Sequence, residues 1–544
     1  MPTSLCPRKA VSREPRGEVL DEPPESLARG TLSEGFPTNV GDLLVSSGNG
    51  GTARSRETED CRDGRGGVLE TRSTDEGGEL ARPEPTGGKG WTSGRPDLGI
   101  HGGTQRSSTM STALSRLSEL AKADKTTRFL SIAHLVTPTA LMAAFEGLRK
   151  DASAGVDEVT YREYEQDVWR NIPTLHHRLV SHQYRAQPLR RVYIPKENGK
   201  ERPISIPSLE DKIVQRATVT VLNAIYEQDF LPCSYGFRPG RSPHDALDAI
   251  GRTMCRGPMA YVLEADIQSY FDNIVRSQLM AFVERRIGDG SILRLIQKWI
   301  HVGVIEDGRL LVTETGTGQG QVISPLLANI YLHYVLDEWF EHEVKPRLRG
   351  MAAEIRYADD FILCFQYRED AERVLEVLPK RFAKYGLTLH PEKTQLLAFG
   401  RSALPSSPDA PQPATFDFLG FTHVCARSRR GRFTIHVRTI RKRLRRSVKA
   451  VAQWCQQHRH DPVENQAAAL NAKLRGHYQY YGRPTNYRSL WRYYRLVRRL
   501  WHKWLTRRTR GKRLNWDTFQ QLLNRHPLRA PRICHAWAST GSPA

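Results

Sequence analysis

The sequence predicts an α+β protein followed by a strongly basic helical tail. Three observations predict it. Apolar residues recur at helical spacing in PSLEDKIVQRATVTVLNAIYEQDF, where Leu209, Ile213, Ala217, Val221 and Ile225 share a face. Strand-like runs surround 191–207, 260–267 and 354–365. Charge is segregated: residues 421–544 hold 29 Lys and Arg against 3 Asp and Glu, net +26, although the whole 544-residue chain is only +22. Such a block repels itself unless a polyanion neutralises it, nucleic acid first and anionic membrane second.

Residues 1–109 contain two aromatics, Phe36 and Trp91, and 19 of the 42 glycines. They cannot bury enough apolar surface to offset their ordering entropy, so they are expected to be disordered. Helical spacing begins at Met110, which is the expected start of the functional part. A compact α+β region should follow, to about residue 420. The segment ALPSSPDAPQPA at 403–414 reads as a surface loop. There are no internal repeats.

Several classes are excluded. No apolar run approaches the ~18 residues that span a bilayer, so an integral membrane protein is not expected. The first residues lack the apolar stretch of a signal peptide, and Glu14, Glu18 and Asp21 argue against an organelle transit peptide. The eight cysteines are scattered without a CxxC pair, which suits a reducing cytosol rather than a disulfide or zinc framework.

Candidate chemistry lies in two segments. In EIRYADDFILCF, Asp359 and Asp360 sit between apolar runs that read as strand, tight turn, strand. In AYVLEADIQSYFDNI, an apolar strand ends in Asp266. Alone, each pattern is weak, because Asp favours turns and helix caps. Together they put three carboxylates at the ends of strands that would neighbour one another. Hard oxygen donors beside substrate phosphates are what Mg²⁺ prefers. Two such ions clamp an attacking hydroxyl and a leaving pyrophosphate.

An ordered series of blocks accompanies these acids. They are AGVDEVT (154–160), YIPKENGKERPISIP (193–207), SYGFRPGRSPHDAL (234–247), ADIQSYFDNI (265–274) and GTGQGQVISPLLANIYL (316–332). YADD (357–360), GLTLHPEKT (386–394), FLGF (418–421) and LNAKLRGHYQYYG (470–482) complete it. With these the chain resembles the reverse transcriptase–maturases encoded by group II introns, over four fifths of its length.

The resemblance implies a right-hand polymerase. Fingers and palm would span 110–424, with an antiparallel sheet and helices. A helical thumb or maturase region would span 425–504, and a small helical DNA-binding region 505–544. It implies catalytic Asp266, Asp359 and Asp360, and metal binding by these three and Ile267. Asp266 and Asp359 would bridge two Mg²⁺ ions, with Asp360 more peripheral. Lys196 and Arg202 match triphosphate-binding cations flanking the Asn198-Gly199 hairpin. A three-residue loop at 198–200 would set them opposite each other, and a two-residue loop on opposite faces. Phe271 would meet the sugar 2′ position, unless it or Tyr270 is simply a core aromatic. Gln319 would lie beside the incoming dNTP, in a loop whose Gly316, Gly318 and Gly320 admit close backbone approach. The family more often has proline at position 318 and glycine at 321; Gly318 and Gln321 are expected to loosen that loop. Ser324 and Pro325 read as N-cap and first turn of the next helix.

In TIRKRLRRSVKAVAQW, Ile440, Leu444, Val448 and Val451 form a narrow apolar stripe. Arg441, Lys442, Arg443, Arg445, Arg446 and Lys449 would face phosphate. Lys473 and Arg475 lie in the block that resembles the RNA-binding maturase motif. Tyr478, Tyr480, Tyr481, Trp491, Tyr493, Tyr494, Trp501 and Trp504 are core or base-stacking residues. No Cys-pair and His-Asn-His pattern follows Trp516, so the family's optional endonuclease is expected to be absent. The expected function is RNA-directed DNA synthesis together with binding of group II intron RNA, assisting its splicing and mobility. Partners would be that RNA, a DNA target and primer, and dNTPs, in a bacterial cytoplasm near the nucleoid. The alternatives are a maturase with a silent polymerase site, or a domesticated polymerase in defence or repair. The oligomeric state is not legible.

Overall fold

The computed structural model describes residues 103–195, 201–306, 309–311, 315–404, 413–508 and 514–536. The expectations for 1–102 and for most of the 403–414 loop lie outside these residues. The first helix, Gly103–Ala123, runs through Met110 rather than starting there.

The strands are β1 (Leu189–Pro195), β2 (Glu201–Ile206), β3 (Tyr261–Ala265), β4 (Val304–Glu306) and β5 (Arg309–Leu311). They continue as β6 (Ala352–Tyr357), β7 (Asp360–Phe365), β8 (Gln395–Ala398), β9 (Thr415–Phe418), β10 (Phe421–Arg427) and β11 (Phe433–Thr439). They form sheets of order β2-β1-β4-β5, β6-β7-β3-β8 and β11-β10-β9. The second sheet is antiparallel throughout. The first is mixed, because β1 runs parallel to β4.

The long helix Leu209–Asp229 forms where its spacing predicts, capped by the Ser208 side chain on the Asp211 N–H. Its apolar face enters a large core shared with β3 and β7. A second core lies across the same sheet, under the helix Pro243–Arg256 and β9–β11. Strand β7 divides them: Phe361, Leu363 and Phe365 enter the first core, Ile362 and Cys364 the second. A strand buried on both faces reads as an unbroken apolar run, as FILCF does.

The third core belongs to the basic C-terminal part. Helices Arg441–Gln457, Val463–Tyr481 and Tyr487–Thr506 pack around Leu470, Leu474, Val497 and Trp501. Two expected boundaries move. The break at 424/425 falls inside β10, whose sheet shares the second core; the change to helix comes after Thr439. The break at 504/505 falls inside a helix, and the helix Trp516–Arg525 adds Phe519 and Leu523 to the same third core. Among the described residues, no helix is long and apolar enough to cross a membrane.

Candidate polymerase active site

Strand β7 starts at Asp360, which pairs with Tyr357 at the end of β6. Ala358 and Asp359 therefore form a two-residue hairpin turn, with Ala358 at φ +58°. That conformation is disfavoured for a residue with a Cβ, by roughly 1–2 kcal/mol, so the surroundings must hold it. Arg356 is fully buried and does so. Its Nη1 donates to the Ala358 carbonyl at 3.0 Å and to Asn329 Oδ1 at 3.0 Å. Its Nε and Nη2 donate to Asp337 at 2.6 and 2.5 Å, and Nη2 to Ser234 Oγ at 2.9 Å. Asp337 lies in the π-helical segment His333–Asp337. The SYGF block presses on the turn from the other side: a Cβ on Gly236 would lie 2.2 Å from the Ala358 nitrogen.

β3 lies against β7, with Ala265 paired to Phe361. Asp266 follows directly on β3 and Asp360 opens β7, so the two acids lie at the same end of the paired strands. Asp359 is in the turn, where strand alternation no longer dictates direction. The structure thus brings Asp266, Asp359 and Asp360 together. Burial raises the Asp359 carboxyl above its usual range, with help from the Asp266 charge and against Arg202 and Arg356. Asp360 opens to the cleft, yet the surrounding protein desolvates it. That and the charges of Asp359 and Asp266 push it up to about 7, opposed by Arg443 and Lys393. Three clustered carboxylates, two of them raised by burial and by their neighbours' charge, fit a hard divalent cation such as Mg²⁺. The Ile267 side chain is buried, so only its main-chain carbonyl could join such a set.

Arg202 reaches this site across the cleft. Its Nε donates to Gln319 Oε1 at 3.0 Å. In the β1–β2 hairpin Arg202 faces Ile194 and Pro195 faces Glu201. This register matches neither expected loop; Lys196 lies outside the described residues. Phe271 is 9 % exposed, and its carbonyl accepts the Thr317 N–H at 3.1 Å, joining it to the Gln319 loop. Tyr270 is a core residue, its hydroxyl donating to the Ala328 carbonyl at 2.6 Å.

The loop is not loosened by its unusual residues. Gln321 is buried and bonded to Thr317, Trp299 and Gln215. Gly318 stands at φ +60°, which proline cannot adopt. Ser324 is not an N-cap: its hydroxyl donates instead to the Thr317 carbonyl at 2.6 Å.

Sequence reasoning missed Lys393, whose Nζ lies 2.6 Å from Asp266 Oδ2. It sits in the quoted GLTLHPEKT block, and a lone cation in a matched block was the available signal. It also missed Arg356, a charge inside an apolar strand next to the acidic pair.

On the helix Arg441–Gln457, Arg441, Lys442, Arg443, Arg445, Arg446 and Lys449 are all exposed, while Leu444, Val448 and Val451 pack inward. Ile440 precedes the helix. The Arg443 charge opposes the upward shift of Asp360. Arg475 is exposed, and Lys473 lies over the Trp454 ring at 5.2 Å. Tyr478, Tyr493 and Trp501 are core; of the eight aromatics singled out, only Trp491 is largely exposed.

A model of the family "Reverse transcriptase (RNA-dependent DNA polymerase)" matches residues 194–423. Protein YkfC of Escherichia coli (strain K12) is 34% identical over 364 residues, 59% of this chain and 90% of that protein. Group II intron-encoded protein LtrA of Lactococcus lactis subsp. cremoris is 33% identical over 259 residues, 46% of this chain and 43% of LtrA. An uncharacterized 91 kDa protein in the cob intron of Schizosaccharomyces pombe is 42% identical over 164 residues, 30% of this chain and 20% of that protein. The chain thus spans less than half the length of LtrA. The right-hand α+β architecture, the matched blocks and these relatives agree: the chain belongs to the reverse transcriptase family, among the group II intron-encoded reverse transcriptase–maturases.

Proposed function

We propose that this chain copies RNA into DNA at the Asp266–Asp359–Asp360 site, and that its basic thumb binds intron RNA to assist splicing and mobility. The observation that carries the reading is the convergence of three carboxylates, Asp266 and Asp359 being 93 residues apart in the chain, at the ends of neighbouring strands, with Arg202 near Asp359 and bonded to Gln319. In the reaction a primer 3′-hydroxyl oxygen forms a bond to the α-phosphorus of a dNTP, and the bond to the leaving pyrophosphate breaks. Two Mg²⁺ ions held by the three acids and the Ile267 carbonyl would supply charge neutralisation at the attacking and leaving oxygens. Arg202, with Lys196, would hold the triphosphate, and Gln319 would orient it. Phe271 would close the space that a 2′-hydroxyl needs. Arg356 keeps Asp359 and Asp360 aimed into the cleft.

Splicing assistance needs no protein chemistry. The exposed cations of the thumb, with Arg475, would neutralise phosphates of folded RNA and stabilise it. The C-terminal part would contact the DNA target.

The test is extension of a DNA primer annealed to an RNA template, with and without Mg²⁺, by the wild type and by Asp359→Asn. Synthesis should require Mg²⁺ and disappear in the variant, while RNA binding persists. Undiminished synthesis by Asp359→Asn refutes the assignment; failure of the wild type leaves the maturase without a working polymerase.

A further inference from the structure

The loop that carries Gln319 has two sides. On its outer side, the Gln319 carbonyl accepts the Ser205 N–H of β2 at 2.7 Å, and its side chain meets Arg202. On its inner side stands a pair of buried amides. Gln321 is 3 % exposed and Gln215, on the helix Leu209–Asp229, is not exposed at all. Gln321 Nε2 donates to the Trp299 carbonyl at 3.0 Å and the Thr317 carbonyl at 3.1 Å. Its Oε1 accepts from Gln215 Nε2 at 2.9 Å. Gln215 Oε1 in turn accepts the Val322 and Ile323 N–H groups at 2.9 and 3.3 Å. The two amides thus use both their donor and their acceptor ends to fasten the loop to two core helices, since Trp299 belongs to Gly290–His301. Position 318 is cut to fit: a Cβ there would lie 2.8 Å from Gln321 Nε2.

A buried amide that satisfies its neighbours on three sides fixes position, because any shift leaves polar groups unpaired. Gln319 is two residues away on the same short loop. We infer that Gln321, together with Gln215, is a positioning residue that sets how the Arg202–Gln319 pair meets the incoming nucleotide. It governs dNTP affinity rather than the chemical step. This deepens the polymerase reading and rests on it.

The experiment uses the full chain on a primed RNA template, measuring kcat and KM for a dNTP together with thermal melting. Gln321→Met keeps the volume and removes the hydrogen bonds; Gln321→Ala and Gln215→Leu are independent checks. KM should rise ~5–20-fold, the scale of a lost buried hydrogen bond, with kcat within about twofold. Arg202→Ala should also raise KM, and adding Gln321→Ala to it should raise KM little further, because one residue acts through the other. The inference is overturned if KM is unchanged in all three variants. It is overturned equally if the loss falls on kcat, or if the Arg202 and Gln321 effects simply multiply. A wild type that extends normally while these results fail leaves the polymerase reading intact; a wild type that cannot extend overturns both.

Discussion

Arg356 offers a way to separate folding from alignment of the acidic turn. Arg356→Met removes a fully buried guanidinium and strands the Asp337 carboxylate, which is also fully buried. Breaking a buried pair by removing one partner costs about 3–5 kcal/mol, because a charge is left uncompensated. Replacing both partners by apolar residues of similar size is often neutral. Arg356→Met with Asp337→Leu should therefore recover much of the stability lost by the single variant. It cannot recover the donor to the Ala358 carbonyl, so Ala358 at φ +58° loses its restraint. The double variant should melt in urea close to the wild type yet extend a primer at least tenfold more slowly. At ~1.4 kcal/mol per tenfold in rate, that is the loss of about one buried hydrogen bond. The reasoning is refuted if the double variant polymerises like the wild type, or if the single variant is no less stable.

Phe271→Ala should increase ribonucleotide incorporation in primer extension with mixed nucleotides; unaltered discrimination would make Phe271 a core residue only. Changing Arg441, Lys442, Arg445 and Lys449 to Gln should weaken RNA binding uniformly across sequences. It should also reduce the slope of log K against log salt by up to about 3.6, at ~0.7–0.9 per phosphate contact; an unchanged slope would place RNA elsewhere. Burial pushes His423 down to about 3 and His333 down to about 4. Both bind protons more readily when unfolded, so stability is full above the ordinary histidine pKa near 6.5 and falls as pH drops toward these values. Each contributes at most about 1.4 kcal/mol per pH unit. His423→Phe, whose ring already stacks on Phe416 at 4.6 Å, should flatten the acid limb of a stability-versus-pH curve; an unchanged limb would count against the assignment.

The placement of the acids at strand ends was legible because its signal is local. Asp359 and Asp360 adjoin an apolar run, and Asp266 ends another; alternation and composition locate both strands. The helix Leu209–Asp229 was legible for the same reason. What holds the site was not legible. Arg356 draws its partners from Ser234, Asn329 and Asp337, which only the tertiary fold brings together. Asp337 lies in a π-helical stretch that no spacing announces. Gln321 looked like a disturbance to a flexible loop because its partners, Gln215 and Trp299, are remote in the chain. The expected boundary at 424/425 falls early because Arg-rich composition begins before β10 and β11 have ended. Composition tracks the exposed surface, whereas domain limits follow the core that the strands enter.

Strand β7 is a party wall. It has no thickness to spare, since its odd-numbered side chains lean into one room and its even-numbered ones into the other. Enlarging Cys364 or Ile362 on the second side would press the backbone toward Phe361 and Leu363, and the turn at the strand's end would tilt with it. Drift in the region beneath β9–β11 can therefore blunt DNA synthesis without touching a single acid.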